Sequence, residues 1–220
     1  MRELVDVASH QGVRCAELRR GVLSQVADAV TPQGCAALCR PQSMQLGDLG
    51  EAPIIVLDQI GDPGNLGAVV RVAEACAFSG VVVTAGSTDP FGPKALRGST
   101  GSLFRVPTVE GGSLGEVTAQ LTALGRHVVG TSSHQGTDFA QMAWPAPLAI
   151  VFGNEAAGLH ADEMASMNEI VTVPLPPAVE SLNLAVSAGI LCMAVARGLK
   201  APNLDALAST MHAMHEGEST

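Results

Sequence analysis

The sequence predicts an α/β domain with a parallel sheet covered by helices on both faces, spanning roughly residues 52–200. Three observations predict it. From Pro53 onward, short apolar runs alternate with segments of helical spacing. The runs are apolar throughout, as in Ile54-Ile55-Val56-Leu57, which marks strands buried on both sides. Apolar residues make up 47% of the 220, yet aromatics only 3%, and there is no Tyr. Small aliphatic side chains must therefore fill the core, which suits helices packed closely on a sheet.

The elements read in order as follows. Residues 1–43 form a separate small segment: helix at 3–10, short strand at 13–15, helix at 21–29, and an apolar strand at 34–39 after a Thr-Pro-Gln-Gly turn. These are too few to close a core alone. Residues 41–51 read as a linker rich in Gln, Gly and Ser. Then come a strand at 54–57, a helix at 65–77, a strand at 80–84, a short helix at 94–99 and a strand at 104–106. A helix at 114–124, strands at 127–131 and 148–152, a short helix at 161–167, a strand at 169–173 and a long helix at 182–199 complete the domain. The tail after Pro202 is weakly helical by pattern.

The net charge of −9 taken alone argues against a nucleic-acid partner, because phosphate binding wants a basic surface. Yet Arg71, Lys94, Arg97 and Arg105 fall within 35 residues that hold few acids. The five cysteines, an odd number, read as small buried thiols of a reducing compartment, and the Cys35–Cys39 spacing has no second pair to complete a zinc site. No secretory signal and no spanning run is visible, so a cytoplasmic protein without a membrane partner is expected.

Three segments carry candidate chemistry. Asp62-Pro63-Gly64-Asn65-Leu66-Gly67-Ala68-Val69-Val70-Arg71 joins a strand to a helix whose first N–H groups are free, with Arg71 about two turns in. Val151-Phe152-Gly153-Asn154-Glu155-Ala156-Ala157-Gly158-Leu159 runs a strand into a Gly-Asn-Glu turn, at the strand end where open sheets bind ligands. Val173-Pro174-Leu175-Pro176-Pro177-Ala178-Val179-Glu180-Ser181-Leu182-Asn183 is a proline-stiffened loop opening the last helix, with Ser181 placed as its N-cap. Each, read alone, is an ordinary connection.

Together, in this order and spacing, they resemble the three signature motifs of the SpoU/TrmH branch of the SPOUT superfamily, the RNA ribose 2′-O-methyltransferases. The stretch from Pro90 through Lys94, Arg97, Phe104 and Arg105 to Pro107 is similar to the family's pattern between motifs one and two. The resemblance covers residues 34–199. It implies a deep C-terminal trefoil knot, a topology that ordinary connection rules exclude, and S-adenosylmethionine bound bent against it. It also implies a homodimer with an active site shared between protomers, partly through the run Leu182, Leu184, Val186, Ile190 and Leu191. Gly153, Asn154, Glu155 and Gly158 would wrap the methionine and ribose of the cofactor. Val173, Leu175, Ser181 and Leu182, with Thr131 and Ser132, would line the adenine pocket. The resemblance places catalysis on Arg71, Asn65, Asn183 and Glu155, and RNA contact on Arg71, Lys94, Arg97 and Arg105. Arg71 would fix the target ribose and phosphate by position and charge rather than act as a base. A sulfonium is already a strong methyl donor, so no metal is expected.

This chain departs from the pattern in places. Pro177 stands where the family usually has Gly, which stiffens the motif-three loop and removes an N–H. Val72 stands for a usual Thr. Residues 3–40 resemble the second half of an L30e-like RNA-binding domain, with Thr31 for a usual His. Two other readings are weighed: a non-catalytic or weakly cofactor-binding SPOUT-like RNA-binding protein, and a dinucleotide oxidoreductase. The latter needs a G-x-G-x-x-G turn that residues 61–67 do not supply.

Overall fold

The computed structural model describes residues 2–27 and 34–198. The chain separates into two compact units, residues 1–42 and 43–220. In the first unit, helix α1 (Arg2–His10) is strongly amphipathic, and helix α2 (Leu23–Val26) is a single turn. The strands expected at 13–15 and 34–39 are not formed. A strand needs a neighbour for its backbone N–H and C=O groups, and the described residues of this unit contain none. Cys15, Cys35 and Cys39 are exposed, against the expectation of buried thiols, whereas burial pushes the thiols of Cys76 and Cys192 up. Residues 28–33, Leu199 and the tail after Pro202, for which helices and a turn were expected, lie outside the described residues.

The second unit is the predicted α/β domain. Its strands are β1 (Ile54–Leu57), β2 (Gly80–Val83), β3 (Thr108–Glu110), β4 (His127–Thr131), β5 (Thr137–Asp138), β6 (Leu148–Phe152) and β7 (Glu169–Thr172). They form one sheet in the order β3-β2-β1-β6-β4-β7-β5, every neighbouring pair parallel. Helices α3 (Pro63–Ala75), α4 (Pro93–Ser99) and α7 (Leu184–Gly198) cover one face; α5 (Leu114–Ala123) and α6 (Ala161–Ala165) cover the other. Alternate residues of one strand feed opposite cores. Ile55 and Leu57 meet the α3 and α7 side, while Ile54 and Val56 meet the α5 side. That is why the strands are apolar without alternation. The linker is not merely a tether: Leu46 and Leu49 are buried in the α5-side core.

The strand expected at 104–106 is instead a 3-10 turn at Ser102–Phe104, and β3 follows it. Thr100 and Gly101 both take left-handed φ (50° and 88°), and the N–H groups of Arg105 and Val106 bond to Ser102 O. Those donors are then unavailable to a ladder. Helix α7 begins at Leu184, not Leu182. Asn183 caps it: its Oδ1 accepts the Ala185 N–H at 2.9 Å and its carbonyl accepts the Ser187 N–H at 3.0 Å. Ser181 is therefore not the N-cap. Leu184 and Leu191 face the core, so of the run expected at a dimer contact Val186 is exposed and Leu182 and Ile190 are half-buried. Val72 packs against the core.

Two close approaches hold the frame. A Cβ on Gly67 would lie 2.7 Å from Ser99 N and nearer still to Ala95 O, so α3 and α4 cross backbone against backbone there. At the amino ends of the strands Arg126 is buried. Its Nη1 donates to Ala52 O at 3.0 Å and Leu148 O at 3.2 Å, and its Nη2 to Gly50 O.

Candidate active site

The carboxyl ends of β1, β4, β6 and β7 converge where strand order departs from chain order, the usual ligand position in open α/β sheets. A cavity of about 510 Å³ lies there.

Its floor begins with the first motif. Asp62 caps α3: its carboxylate accepts the N–H groups of Gly64 and Asn65, and Pro63 occupies the first turn. Lys94 Nζ sits 3.1 Å from Asp62 Oδ2. The Lys94 ammonium and then the Gly64 N–H hold the Asp62 carboxyl below the usual carboxylate range.

The second motif turns tightly after β6. Asn154 Oδ1 accepts the N–H groups of Ala156 (2.9 Å) and Ala157 (3.0 Å), and Asn154 Nδ2 donates to Gln59 O at 2.8 Å. Gly158 has φ +68°, and a Cβ on Gly153 would lie 2.5 Å from Gly158 C, so position 153 admits no side chain.

Glu155 reaches across to the first motif. Its Oε2 accepts the Gly61 N–H at 3.1 Å, and its Oε1 accepts the Asp62 N–H and Asn65 Nδ2, each at 3.2 Å. Desolvation pushes this carboxyl up, but the Gly61, Asn65 and Asp62 donors together outweigh it and hold it below the ordinary glutamate range. Asn65 Oδ1 in turn accepts Asn183 Nδ2 at 3.0 Å. One hydrogen-bonded chain, Asn183 to Asn65 to Glu155 to the Gly61-Asp62 backbone, thus ties together three segments that lie 90 and 118 residues apart.

Every residue expected at a cofactor lines this cavity: Thr131, Ser132, Gly153, Asn154, Glu155, Gly158, Val173, Leu175, Ser181 and Leu182, together with Asn65 and Asn183. Arg71 does not. It is exposed on α3, outside the lining. Lys94, Arg97 and Arg105 are exposed as well; Lys94 is committed to Asp62, and Arg105 donates to Glu74, with Nη2 to Oε2 at 3.0 Å. Glu180 and residues 133–135 also line the cavity and were not singled out from the sequence. Glu180 directly precedes the recognised Ser181, a signal that could have found it. Pro177 sits second in a turn closed by the Val179 N–H to Pro176 O at 2.9 Å. Proline is favoured there, so the loop accommodates it without strain.

A model of the SpoU rRNA Methylase family matches residues 52–193, the whole of the cavity and its frame. The chain belongs to the SpoU rRNA methylase family. It is 34% identical over 180 residues to the 23S rRNA (guanosine(2553)-2′-O)-methyltransferase RlmP of Bacillus subtilis, covering 82% of this chain and 71% of that protein. Its fold matches the crystal structure of an AdoMet-bound rRNA methyltransferase from Sinorhizobium meliloti with a TM-score of 0.82 and 27% identity, covering 90% of this chain and 77% of that one. It also matches the SpoU methyltransferase AviRb from Streptomyces viridochromogenes in complex with AdoMet, with a TM-score of 0.66 and 30% identity, covering 71% and 65%. No helix among the described residues of this SpoU family member is long and apolar enough to cross a membrane.

Proposed function

We propose that this chain methylates a ribose 2′-hydroxyl of ribosomal or transfer RNA, in the cytoplasm, with S-adenosylmethionine as donor. The carrying observation is the Asn183–Asn65–Glu155 hydrogen-bond chain, which closes three motif segments around one cavity. The cavity fits the donor by its chemistry. Val173, Leu175 and Leu182 offer an apolar wall for a flat base, Thr131, Ser132 and Ser181 offer hydroxyls, and Gly153 leaves backbone open to close approach. When bound, S-adenosylmethionine supplies a methyl already activated on a sulfonium.

The protein's own part is then positioning. Glu155, saturated by N–H donors and held ionised, fixes the second motif against the start of α3 rather than serving as a base. Asn65 spends an amide hydrogen and its oxygen on this chain, and Asn183 spends an amide hydrogen on it and its oxygen on the Ala185 N–H, which fixes both amide planes. Arg71 holds the ribose hydroxyl and adjoining phosphate through its planar, permanently charged fork. Its place outside the single-chain cavity supports a homodimer in which one protomer's Arg71 serves the partner's pocket; the exposed Val186 and Met193 on α7 support that assembly. A trefoil knot in the C-terminal part is supported by β6 and β7, which come late in the chain yet occupy slots between earlier strands. We read residues 1–43 as part of an L30e-like RNA-binding segment, and 52–220 as the methyltransferase domain. The division after Gln42 and the amphipathic α1 support the first, and the family match supports the second.

The test is transfer of labelled methyl from S-adenosylmethionine to rRNA and tRNA, with modified riboses mapped by resistance to alkaline cleavage. Arg71→Ala is expected to abolish transfer while leaving cofactor affinity unchanged, and Lys to rescue poorly. A wild-type chain that binds S-adenosylmethionine but labels base atoms would refute the ribose assignment. Failure to bind the cofactor at all would refute the donor.

A further inference from the structure

Of the five phenylalanines, Phe78 and Phe152 are buried, Phe91 and Phe139 are half-buried, and Phe104 is 66% exposed. The exposure is built in. The left-handed pair Thr100 and Gly101 turns the chain so that Leu103 and Val106, on either side, sink into the core at 7% and 6%, while Phe104 and Arg105 point outward. The turn is closed by the Phe104 N–H to Gly101 O at 3.1 Å and the Arg105 N–H to Ser102 O at 2.9 Å. Arg105 is then clamped by Glu74, one turn beyond Arg71 on α3. The turn that carries Phe104 is thus tied through Arg105 and Glu74 to α3, one helical turn from Arg71, and it also packs against α4, which carries Lys94 and Arg97. The residues tied to this turn are charged: Arg105 beside Phe104 in sequence, Glu74 bonded to Arg105, and Arg71 one turn away along α3.

We propose that Phe104 is a stacking platform for an unpaired base of the RNA, next to the phosphate grip of Arg71. The inference rests on the RNA reading above and adds the kind of RNA: a strand with at least one base free of pairing, since only an unstacked base offers its face to a side chain. Arg105, neutralised by Glu74, holds the turn in place while Arg71 supplies charge.

The test uses a mixed-sequence single-stranded 20-nucleotide RNA and the duplex made from it, with full-chain protein. Wild type is expected to prefer the single strand. Phe104→Ala is expected to weaken that binding about tenfold, within the range for one stacked base, and to leave duplex binding and S-adenosylmethionine affinity unchanged. Phe104→Trp should retain binding, whereas Phe104→Leu, apolar but without a π face, should not. The ring carries no charge, so the slope of affinity against salt should stay as in wild type, while Arg71→Ala makes it shallower. If Phe104→Ala binds the single strand as tightly as wild type, stacking is overturned and the RNA reading stands. If wild type binds neither RNA, the RNA reading falls and the platform with it. If Phe104→Ala changes the mass measured by light scattering, the ring serves a contact between copies and the proposal is overturned.

Discussion

Replacing Glu155 by Gln tests the link between the second motif and α3. The carboxylate accepts three N–H donors, from Gly61, Asp62 and Asn65. A glutamine has one oxygen, so it keeps two of these at best, now without charge, and turns its own NH₂ toward the Gly61 N–H. A hydrogen bond to a charged group is worth about 1.5–3 kcal/mol when shielded, and well under 1 kcal/mol where water competes. Glu155 is exposed, so the lower end applies, and the loss comes to about 1–2 kcal/mol. The same energy, spent on holding the loop, predicts cofactor binding weakened by up to about tenfold. The pH dependence has a definite sign. The folded protein holds the Glu155 carboxyl below its ordinary range, so its stabilisation is complete above the unfolded value of about 4.3 and fades as pH falls through the folded value. Urea denaturation of wild type and Glu155→Gln should therefore differ most near neutrality and converge in acid, where the protonated acid resembles the amide. A gap independent of pH would refute this account, as would equal stability at pH 7.

Gly67→Ala should destabilise by about 3 kcal/mol or more, because its Cβ meets backbone of α4 that cannot yield, while Gly98→Ala, whose nearest atom is Gly64 O at 3.1 Å, should cost less; the order of the two urea midpoints decides. Arg126→Ala removes three hydrogen bonds to carbonyls at the amino ends of the strands, of which Gly50 O and Ala52 O keep the Ser79 hydroxyl, and should cost about 1–3 kcal/mol in thermal denaturation, with cofactor affinity of the folded protein unchanged. Asp58 is buried, and desolvation raises its carboxyl above the ordinary range despite the Thr84 hydroxyl at 2.7 Å. Its ionised form therefore burdens the fold as pH rises through the raised value, and Asp58→Asn should stabilise at neutral pH with a gain that vanishes in acid.

The apolar strands were legible because both faces of a parallel sheet demand the same residues, and each long helix was legible from its spacing. Many of the cavity residues were legible from the three motifs and the family they resemble, though not Glu180 or residues 133–135, and the sequence could not show that Asn65, Glu155 and Asn183 bond to one another. The strand expected at 104–106 failed for a local reason. Phe104 and Val106 suit a strand by propensity, but Thr100 and Gly101 in left-handed conformation commit the following N–H groups to a turn. The first residue of α7 was misplaced because Ser181 and Asn183 are both good caps, and only the Ala185 N–H direction chooses between them. Two-residue β5 is too short to leave a pattern. Arg126 drew no reading from the sequence, because nothing there marks three carbonyls converging from residues 50, 52 and 148.

The sheet order has a consequence for how the protein is made. β6 fills the place between β1 and β4, and β7 the place between β4 and β5. A nascent chain that has emerged only as far as β5 thus holds strands whose neighbours have not yet left the ribosome. Their unpaired edges and bare apolar faces would be held open for the seconds that synthesis of residues 139–198 takes, at about 5–20 residues per second. The donor pocket takes its walls from β4, β6, β7 and the start of α7, so no early intermediate can be rescued by ligand. Assembly of this enzyme is a late event, and the interval before it is when a holding chaperone has something to grip.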